Sequence, residues 1–365
     1  MRIERLALKN YRSWKGLLLD PAPGVNVIYG PNGSGKTNIV ESICLLASGS
    51  SGRGRLSLQV LHGAGEADVK ARISSFDEES RILEAAIKSG RLFVREDGGK
   101  WGSFSSLPPL SAVSFSPSDL LLCSSAEKRR SLLDEACFQS MPAYRAQRGA
   151  FLKVLSQKSS LLKKIREEAG VGRSELFSAL RAFNFQFSSL AFSITRSRAK
   201  ASKEIASLFS LSYKRFSGLE AGMEYLPSLS EALQEDGLEK VQKRLEERAG
   251  AEIASGFPLL GPQRDDFSLS LEGFPLSEVA SGGQAWMASL SLRMAQFESL
   301  KDLGPVLVLD DVFAQLDPER RAAILSSLPS STQVFITAAG REDVPEEGGW
   351  NGIPIELLRQ KAFLP

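Results

Sequence analysis

A phosphate-binding loop near the start of the chain constrains its fold most strongly. Residues 30–37 read Gly-Pro-Asn-Gly-Ser-Gly-Lys-Thr, a complete G-x-x-x-x-G-K-[ST] pattern. Its glycines let successive backbone N–H groups point at phosphate oxygens, while the lysine reaches the terminal phosphates and the threonine hydroxyl can bind Mg²⁺. A strand-like run over 24–29 precedes the loop, and helical spacing of Ile39, Ile43 and Leu46 follows it. Strand, glycine-rich turn and helix together predict an α/β nucleotide-binding domain.

The amino-acid composition limits the classes of protein to which the chain can belong. A chain of 365 residues can hold two or three domains. Its 45 lysines and arginines nearly balance its 43 aspartates and glutamates, so net charge says little about partners. Three cysteines without metal-ligand spacing favour reduced thiols in the cytoplasm, and a single histidine, His62, argues against zinc sites and histidine-based triads. The start lacks a signal-peptide pattern and no run of about 18 apolar residues occurs, so we expect a cytoplasmic protein without membrane contact.

The periodicity of the chain changes after about residue 120. Alternating runs between Ala67 and Arg95 predict an antiparallel meander, whereas residues 126–247 carry helical spacing throughout. A breaker at 169–172 separates two helices within this stretch. We therefore expect a helical hairpin or small bundle inserted into the α/β domain. The second helix carries a coiled-coil-like seam of Leu176, Leu180, Phe183, Phe187, Leu190 and Ile194.

Charge is unevenly distributed over the helical region. Residues 141–215 contain 15 basic and 4 acidic residues, whereas residues 218–252 contain 4 basic and 9 acidic ones. On the long helix, Arg196, Lys200 and Lys203 share one face opposite the apolar seam. A solvated surface is one reading of such a face, but solvated helices usually mix signs. The shortage of acids therefore favours a polyanion such as DNA.

A second half of the predicted nucleotide site lies near the end of the chain. The run 305–309 is apolar and ends in Asp310 and Asp311, which suits a central parallel strand buried on both faces. Asp310 at the carboxyl end of this strand is predicted to bind Mg²⁺, directly or through water. Asp311 is then placed to orient or deprotonate the attacking water.

A third motif, Ala280-Ser-Gly-Gly-Gln284, precedes a helical pattern. Ser281 is a good N-cap, and the glycines expose backbone N–H groups, so the motif predicts a second anion site at a helix N-terminus. The order of the three motifs resembles an ABC-type ATPase head. In that class the signature serine contacts the γ-phosphate held by the other subunit, which assigns nucleotide contacts in trans to Ser281, Gly283 and Gln284.

The chain as a whole resembles the RecF family, bacterial recombination-repair ATPases related to SMC proteins. The likeness is effectively full length, and a modest helical arm replaces the long coiled coil of SMC proteins. It is carried by the phosphate loop with Asn38 and Glu41 and by five further runs: Leu8-Lys-Asn-Tyr-Arg12, Phe115-Ser-Pro-Ser-Asp-Leu120, Arg129-Arg-Ser-Leu-Leu-Asp134, Gly261-Pro-Gln-Arg-Asp-Asp266 and Asp310-Asp-Val-Phe-Ala-Gln-Leu-Asp317.

The resemblance implies an architecture and a function. The fold would be an α/β ABC-type head formed by residues 1–125 and 253–365, with residues 126–252 as an inserted helical arm. The protein would bind ATP and Mg²⁺, dimerise on ATP, clamp duplex or gapped DNA, and hydrolyse ATP slowly as a switch. RecR and RecO would be its partners in loading a recombinase. Two alternatives stay open: a transporter ATPase subunit, and a nuclease-partner or defence ATPase of the RecF/SMC type.

Site residues follow from the motifs together with the resemblance. Lys36 and Asp311 are the predicted catalytic residues, and Thr37 and Asp310 the predicted metal ligands. DNA contacts are divided between the head surface and the arm, with the head favoured. The nucleotide contacts are Arg12, Gly30, Pro31, Asn32, Gly33, Ser34, Gly35, Lys36, Thr37, Asn38, Ser281, Gly283 and Gln284, and the DNA candidates are Arg53, Arg55, Lys128, Arg129, Arg130, Arg196, Lys200 and Lys203.

The sequence departs from the family pattern in four places. These departures affect the expected rate of ATP hydrolysis and leave the resemblance to the family standing. Gln263 stands where the family tends to have His, and Gln315 stands where it has Glu. The signature run 281–286 is closer to the general ABC form. Thr337 occupies the place of the switch histidine of ABC transporters, so γ-phosphate sensing would fall to Thr337 or would be absent.

Overall fold

The computed structural model describes residues 1–50, 54–74, 80–104, 110–167, 173–329, 331–345 and 349–360. The chain divides into two compact units, the first formed by residues 1–120, 212–218 and 280–365 and the second by 121–211 and 219–279. These limits differ from the predicted boundaries at 125/126 and 252/253, which remain a prediction about the ATPase head and its arm. Among the described residues, no helix combines the length and apolarity needed to cross a membrane.

The first unit contains an antiparallel sheet of five strands in the order β2-β1-β4-β5-β6. Strands β4 to β6 form the predicted meander, because their alternating sequence buries one face and exposes the other. Apolar side chains of β1 and β4, such as Leu6 and Val69, lie in the core. The strands are β1 (Arg2–Tyr11), β2 (Trp14–Leu19), β4 (Glu66–Ser74), β5 (Ser80–Lys88) and β6 (Arg91–Glu96).

A parallel sheet in the same unit positions the predicted nucleotide site. Its order is β13-β3-β12-β11-β7, and every described neighbour pair runs parallel. Strands β3 and β11 are therefore separated by one strand, and their carboxyl ends lie at the same edge. The strands are β3 (Val25–Tyr29), β7 (Ala112–Phe115), β11 (Val306–Asp310), β12 (Val334–Ala338) and β13 (Asn351–Pro354). The helices are α1 (Lys36–Ser48), α7 (Gly282–Ser299), α8 (Pro318–Ser327) and α9 (Ile355–Gln360).

The second unit is mainly helical. It contains residues 173–211 of the long helix α4 (Arg173–Ser217), which has the expected seam, with Leu180, Phe187 and Ile194 buried. The predicted breaker at 169–172 lies outside the described residues. The other helices are α2 (Ala126–Ser140), α3 (Pro142–Glu167), α5 (Gly237–Ser255) and the short α6 (Leu276–Val279).

A three-stranded antiparallel sheet interrupts this helical unit. It has the order β10-β9-β8, with β8 (Ala221–Leu226), β9 (Asp266–Leu271) and β10 (Phe274–Pro275). The prediction of helical structure over 126–247 was therefore wrong at β8. This segment is a strand because it pairs along its whole length with β9, which lies some forty residues later in the sequence.

Arg198 forms the centre of a buried ionic cluster in the second unit. Its guanidinium is fully buried and donates to Asp134 Oδ1 at 2.9 Å and to Asp265 Oδ2 at 2.9 Å. The hydroxyls of Tyr144 and Tyr225 donate to the same two carboxylates. A buried ion pair is stable only when its remaining polar atoms are also bonded. Here the second carboxylate oxygens accept from Arg148 Nε at 3.0 Å and from the backbone N–H of Ser228 at 2.9 Å. We refer to Arg198, Asp134, Asp265, Tyr144 and Tyr225 as the Arg198 cluster.

Candidate nucleotide-binding site

A cavity of about 420 Å³ opens beside the phosphate loop. The glycines of the loop take left-handed or otherwise positive φ angles, including Gly33 at 76° and Gly35 at 99°, which place backbone N–H groups toward one side. The cavity also receives the ends of β7, β11 and β12. Its lining residues are Ser13, Asn32, Gly33, Gly35, Lys36, Thr37, Asn38, Pro117, Asp310, Asp311 and Thr337.

Lys36 is held at the mouth of the loop by backbone carbonyls. Its Nζ donates to the oxygen of Gly30 at 2.6 Å and to that of Pro31 at 2.9 Å. Burial lowers the pKa of Lys36, while the carboxylates of Asp311 and Asp310 act in the opposite direction. The ammonium is thereby directed toward the space that phosphates would fill, with no carboxylate bonded directly to it among the described residues.

Thr37 and Asp310 meet across the sheet at the predicted metal position. The Thr37 hydroxyl donates to Asp310 Oδ1 at 2.9 Å, although the two residues are 273 positions apart. The Thr337 hydroxyl donates to the same oxygen at 2.7 Å. A hydroxyl and a carboxylate, with room for water and phosphate oxygens, form the donor set that Mg²⁺ prefers. The residues present therefore fit this metal.

Asp311 follows in a constrained conformation. Its φ is 53°, a left-handed value that is uncommon for a residue other than glycine. Its backbone N–H donates to Thr337 Oγ1 at 2.9 Å, so the threonine hydroxyl bridges both aspartates. Such a strained backbone conformation persists only where contacts with the surrounding structure hold it in place. In this conformation the side chain of Asp311 forms part of the cavity lining.

Three supports of the phosphate loop escaped sequence reasoning. The Trp14 indole N–H donates to the carbonyl of Gly35 at 3.1 Å, and Arg359 Nη2 donates to that of Ser34 at 2.8 Å. The Asn38 amide donates to Ser13 Oγ at 2.8 Å. Trp14 and Ser13 directly follow the quoted run at 8–12, which could have suggested them. Nothing in the local sequence distinguishes Arg359.

Several predicted nucleotide contacts lie elsewhere. Arg12 is paired with Glu41 of α1, with Nε and Oε2 3.0 Å apart. Ser281 caps α7 as predicted, and a reciprocal bond with Gln284 completes a capping box. Among the described residues, Arg12, Ser281, Gly283 and Gln284 are not in the cavity lining. Ser281 and Gly283 are exposed, as a contact made to a second subunit would require, and Gln284 is half-buried.

The candidate DNA contacts fall into different environments. Arg55 is exposed, whereas Arg53 lies outside the described residues. Lys128 is half-buried. Arg129 forms a bidentate pair with Asp266, with Nε–Oδ1 2.6 Å and Nη2–Oδ2 2.8 Å. A guanidinium engaged in this way has little capacity left for phosphate.

Arg130 is also engaged, since its Nη1 donates to the carbonyl of Asp265 at 2.9 Å. By contrast, Arg196, Lys200 and Lys203 are all exposed on α4. Of the other departures, Gln263 donates to the carbonyl of Leu260, and the side chain of Gln315 lies outside the described residues.

The fold and the cavity define an ABC-type ATPase head. The family described as RecF/RecN/SMC N terminal domain matches residues 2–349. RecF proteins from Bifidobacterium longum subsp. infantis and Bifidobacterium adolescentis are 34% and 36% identical to the chain, covering 99% of it and 91% and 93% of their own lengths. The chain belongs to the RecF family of DNA replication and repair proteins. This decides against the transporter alternative.

Solved structures agree with this assignment. The recombination mediator protein RecF in complex with ATPrS, from the RecFOR pathway, has a TM-score of 0.86 at 29% identity and covers 96% of each chain. An Smc head bound to the C-winged helix domain of ScpA has a TM-score of 0.52 at 16% identity, covering 93% of this chain and 90% of its own. The second likeness concerns the fold alone.

Proposed function

We propose that the protein is an ATP-dependent DNA-binding switch of recombinational repair, acting in the cytoplasm. The observation that carries the proposal is the 2.9 Å bond between Thr37 and Asp310, which brings the phosphate loop and the aspartate-tipped strand to one cavity. RecF relatives solved with ATP and assigned to the RecFOR pathway support the choice of ATP. RecR and RecO are the partners that the same pathway implies.

Each residue of the cavity has a task in this proposal. The loop amides and Lys36 bind the phosphates, and Thr37 and Asp310 would hold Mg²⁺, which neutralises phosphate charge when bound. Asp311 holds the attacking water and accepts its proton. Thr337 keeps the two aspartates in register through its single hydroxyl. Because positioning is most of phosphoryl-transfer catalysis, slow turnover is compatible with this arrangement.

The switch depends on a second copy of the chain. ATP held by one subunit would be capped by Ser281 and Gly283 of its partner, where the N-terminus of α7 offers N–H groups to an anion. ATP would therefore drive dimerisation, and hydrolysis would release the dimer and its DNA.

Light-scattering mass measurement with and without ATP tests the proposal. Wild-type protein should dimerise with ATP, and Asp311→Asn should form a longer-lived dimer because hydrolysis is slowed. Ser281→Arg should bind ATP as a monomer but not dimerise, since the added side chain occupies the partner's γ-phosphate position. Ser299→Arg, at the other end of α7, is the matched control. An ATP-bound Ser281→Arg dimer would refute the shared site, and wild-type turnover by Asp311→Asn would refute the role of that residue.

A further inference from the structure

One face of α4 is basic and aromatic over most of its length. At 100° per residue, the positions on this face fall within about 60° of Arg196. Over residues 181–207 the face extends for about 40 Å at 1.5 Å per residue. We call it the α4 stripe; its members are Arg181, Phe185, Ser189, Phe192, Arg196, Lys200, Lys203 and Ser207.

The α4 stripe contains four cations and no carboxylate. Helix α4 as a whole has eight arginines and lysines against two glutamates, Glu175 and Glu204, and neither glutamate lies on the stripe. The four cations are exposed. The antiparallel sheet of the first unit shows the opposite arrangement, where exposed cations such as Lys70 and Lys88 are paired with Glu84 and Glu66. A cationic face without internal counter-charges is complementary to a polyanion.

Aromatic side chains lie between these cations. Phe185 is 65% exposed, the most exposed aromatic residue of the helix within the described part of the chain. Phe192, two turns further on, lies beneath the guanidinium of Arg196, with 5.4 Å from Cζ to the ring centroid. Phosphate contacts alone do not use aromatic rings. An exposed ring flanked by cations, as Phe185 is by Arg181 and Arg196, is an arrangement on which an unpaired base stacks while its phosphates are neutralised.

The shape of the stripe also favours a single strand. The stripe, about 40 Å long, exceeds one turn of B-DNA, about 34 Å, over which each duplex strand winds once completely around the helix axis. A duplex lying along α4 would touch the stripe only where a strand crosses it, and its bases would stay stacked on each other. A single strand can follow the stripe throughout and turn its bases toward the rings.

We propose that the α4 stripe binds single-stranded DNA, with a base stacking on Phe185 and phosphates held by Arg181, Arg196, Lys200 and Lys203. This inference rests on the proposed DNA-repair function and narrows it. The arm takes the unpaired strand of a gapped substrate, and duplex contacts belong to other surfaces. Binding here is sequence-tolerant, because every base has a face that can stack.

Fluorescence anisotropy with the full-length protein tests the assignment, using oligo(dT) of 20 nucleotides and a 20-base-pair duplex. Phe185→Ala should weaken oligo(dT) binding by roughly 5- to 100-fold, the loss that follows from releasing one stacked base. Its affinity for the duplex should not change. The matched control is Phe177→Ala, since Phe177 is also exposed on α4 but lies about 100° away from Arg196.

Salt titrations separate the cations from the rings. Replacing Arg196, Lys200 and Lys203 by Ala should reduce the log–log salt slope for oligo(dT) by about 0.7 per lost phosphate contact. Equal losses for oligo(dT) and duplex in Phe185→Ala, an equal loss in Phe177→Ala, or wild-type affinity and slope in all variants would each overturn the proposal. ATP-dependent mass is measured on the same samples, so failure of the wild type to dimerise would be recognised as failure of the proposed function.

Discussion

The nucleotide cavity of the first unit and the Arg198 cluster of the second both keep charged groups away from bulk water, but they satisfy them differently. In the Arg198 cluster, opposite charges meet directly, and two tyrosine hydroxyls complete the carboxylates. In the cavity, Lys36 donates to two carbonyls and Asp310 accepts from two hydroxyls. Because these partners are neutral, they do not cancel the electrostatic field of Lys36 or Asp310. The first arrangement holds structure, and the second keeps charge available for a ligand.

Removing the central cation of the Arg198 cluster should have the largest effect. Arg198→Met leaves Asp265 buried without its counter-charge, while Asp134 keeps its pair with Arg148, 3.0 Å away. This should lower the free energy of unfolding by about 3–5 kcal/mol. Urea unfolding followed by circular dichroism measures it. Arg196→Met, two positions away and exposed, is the control and should change stability by less than about 0.5 kcal/mol. Similar midpoints for the two variants would show that the cluster contributes little net stability.

Removing one neutral partner in the cavity should affect chemistry more than stability. Thr337→Val deletes the hydroxyl that bonds both Asp310 and the backbone of Asp311. We expect ATP hydrolysis to fall by about 10- to 100-fold, the usual range for losing a residue that orients metal ligands. ATP affinity should change much less. Single-turnover hydrolysis and nucleotide binding are compared with those of Thr332→Val, two residues before the start of β12. Equal losses of affinity and rate would assign Thr337 to binding instead.

The smallest expected effect is a local one, the rate at which a cysteine near the Arg198 cluster is alkylated. Burial, reinforced by the Asp134 carboxylate, raises the pKa of the Cys137 thiol to about 12. At pH 8 this thiol is protonated and inaccessible, so iodoacetamide should label it only after unfolding. Half-buried Cys44 and Cys123 serve as internal controls. Mass spectrometry of peptides should show Cys137 labelling accelerated in Arg198→Met and unchanged in Thr337→Val. Rapid labelling in the folded wild type would mean that the cluster is open.

Local motifs predicted the ATPase head well because the residue types within each motif determine its backbone conformation. The loop at 30–37, the cap at Ser281 and the buried strand ending at Asp310 lie where their residue types require. Strand β8 was missed because its pairing with β9 is set by tertiary contact, which overrides local periodicity.

Charge was the least predictable property. The excess of cations over 141–215 includes Arg198 and Lys158, both fully buried in ion pairs, the latter with Glu252 at 2.7 Å. Arg129 and Arg130 likewise bond within their own unit. Sequence spacing reports which face a side chain occupies, but not whether a carboxylate from a distant element meets it there. Arg359 shows the same limit, because its bond to the loop spans 325 positions.

The position of β3 in its sheet has a consequence for how the protein is made. Its two neighbours, β12 and β13, are translated some three hundred residues later. The backbone N–H of Ile3 likewise donates to the side chain of Gln333, 330 positions away. At about 5–20 residues per second, the loop strand remains unpaired for tens of seconds on the ribosome. Residues 121–279 emerge in the meantime and can pack first. The complete nucleotide cavity can thus form only after β12 has been translated, so shorter nascent fragments lack its Asp310 and Thr337 side.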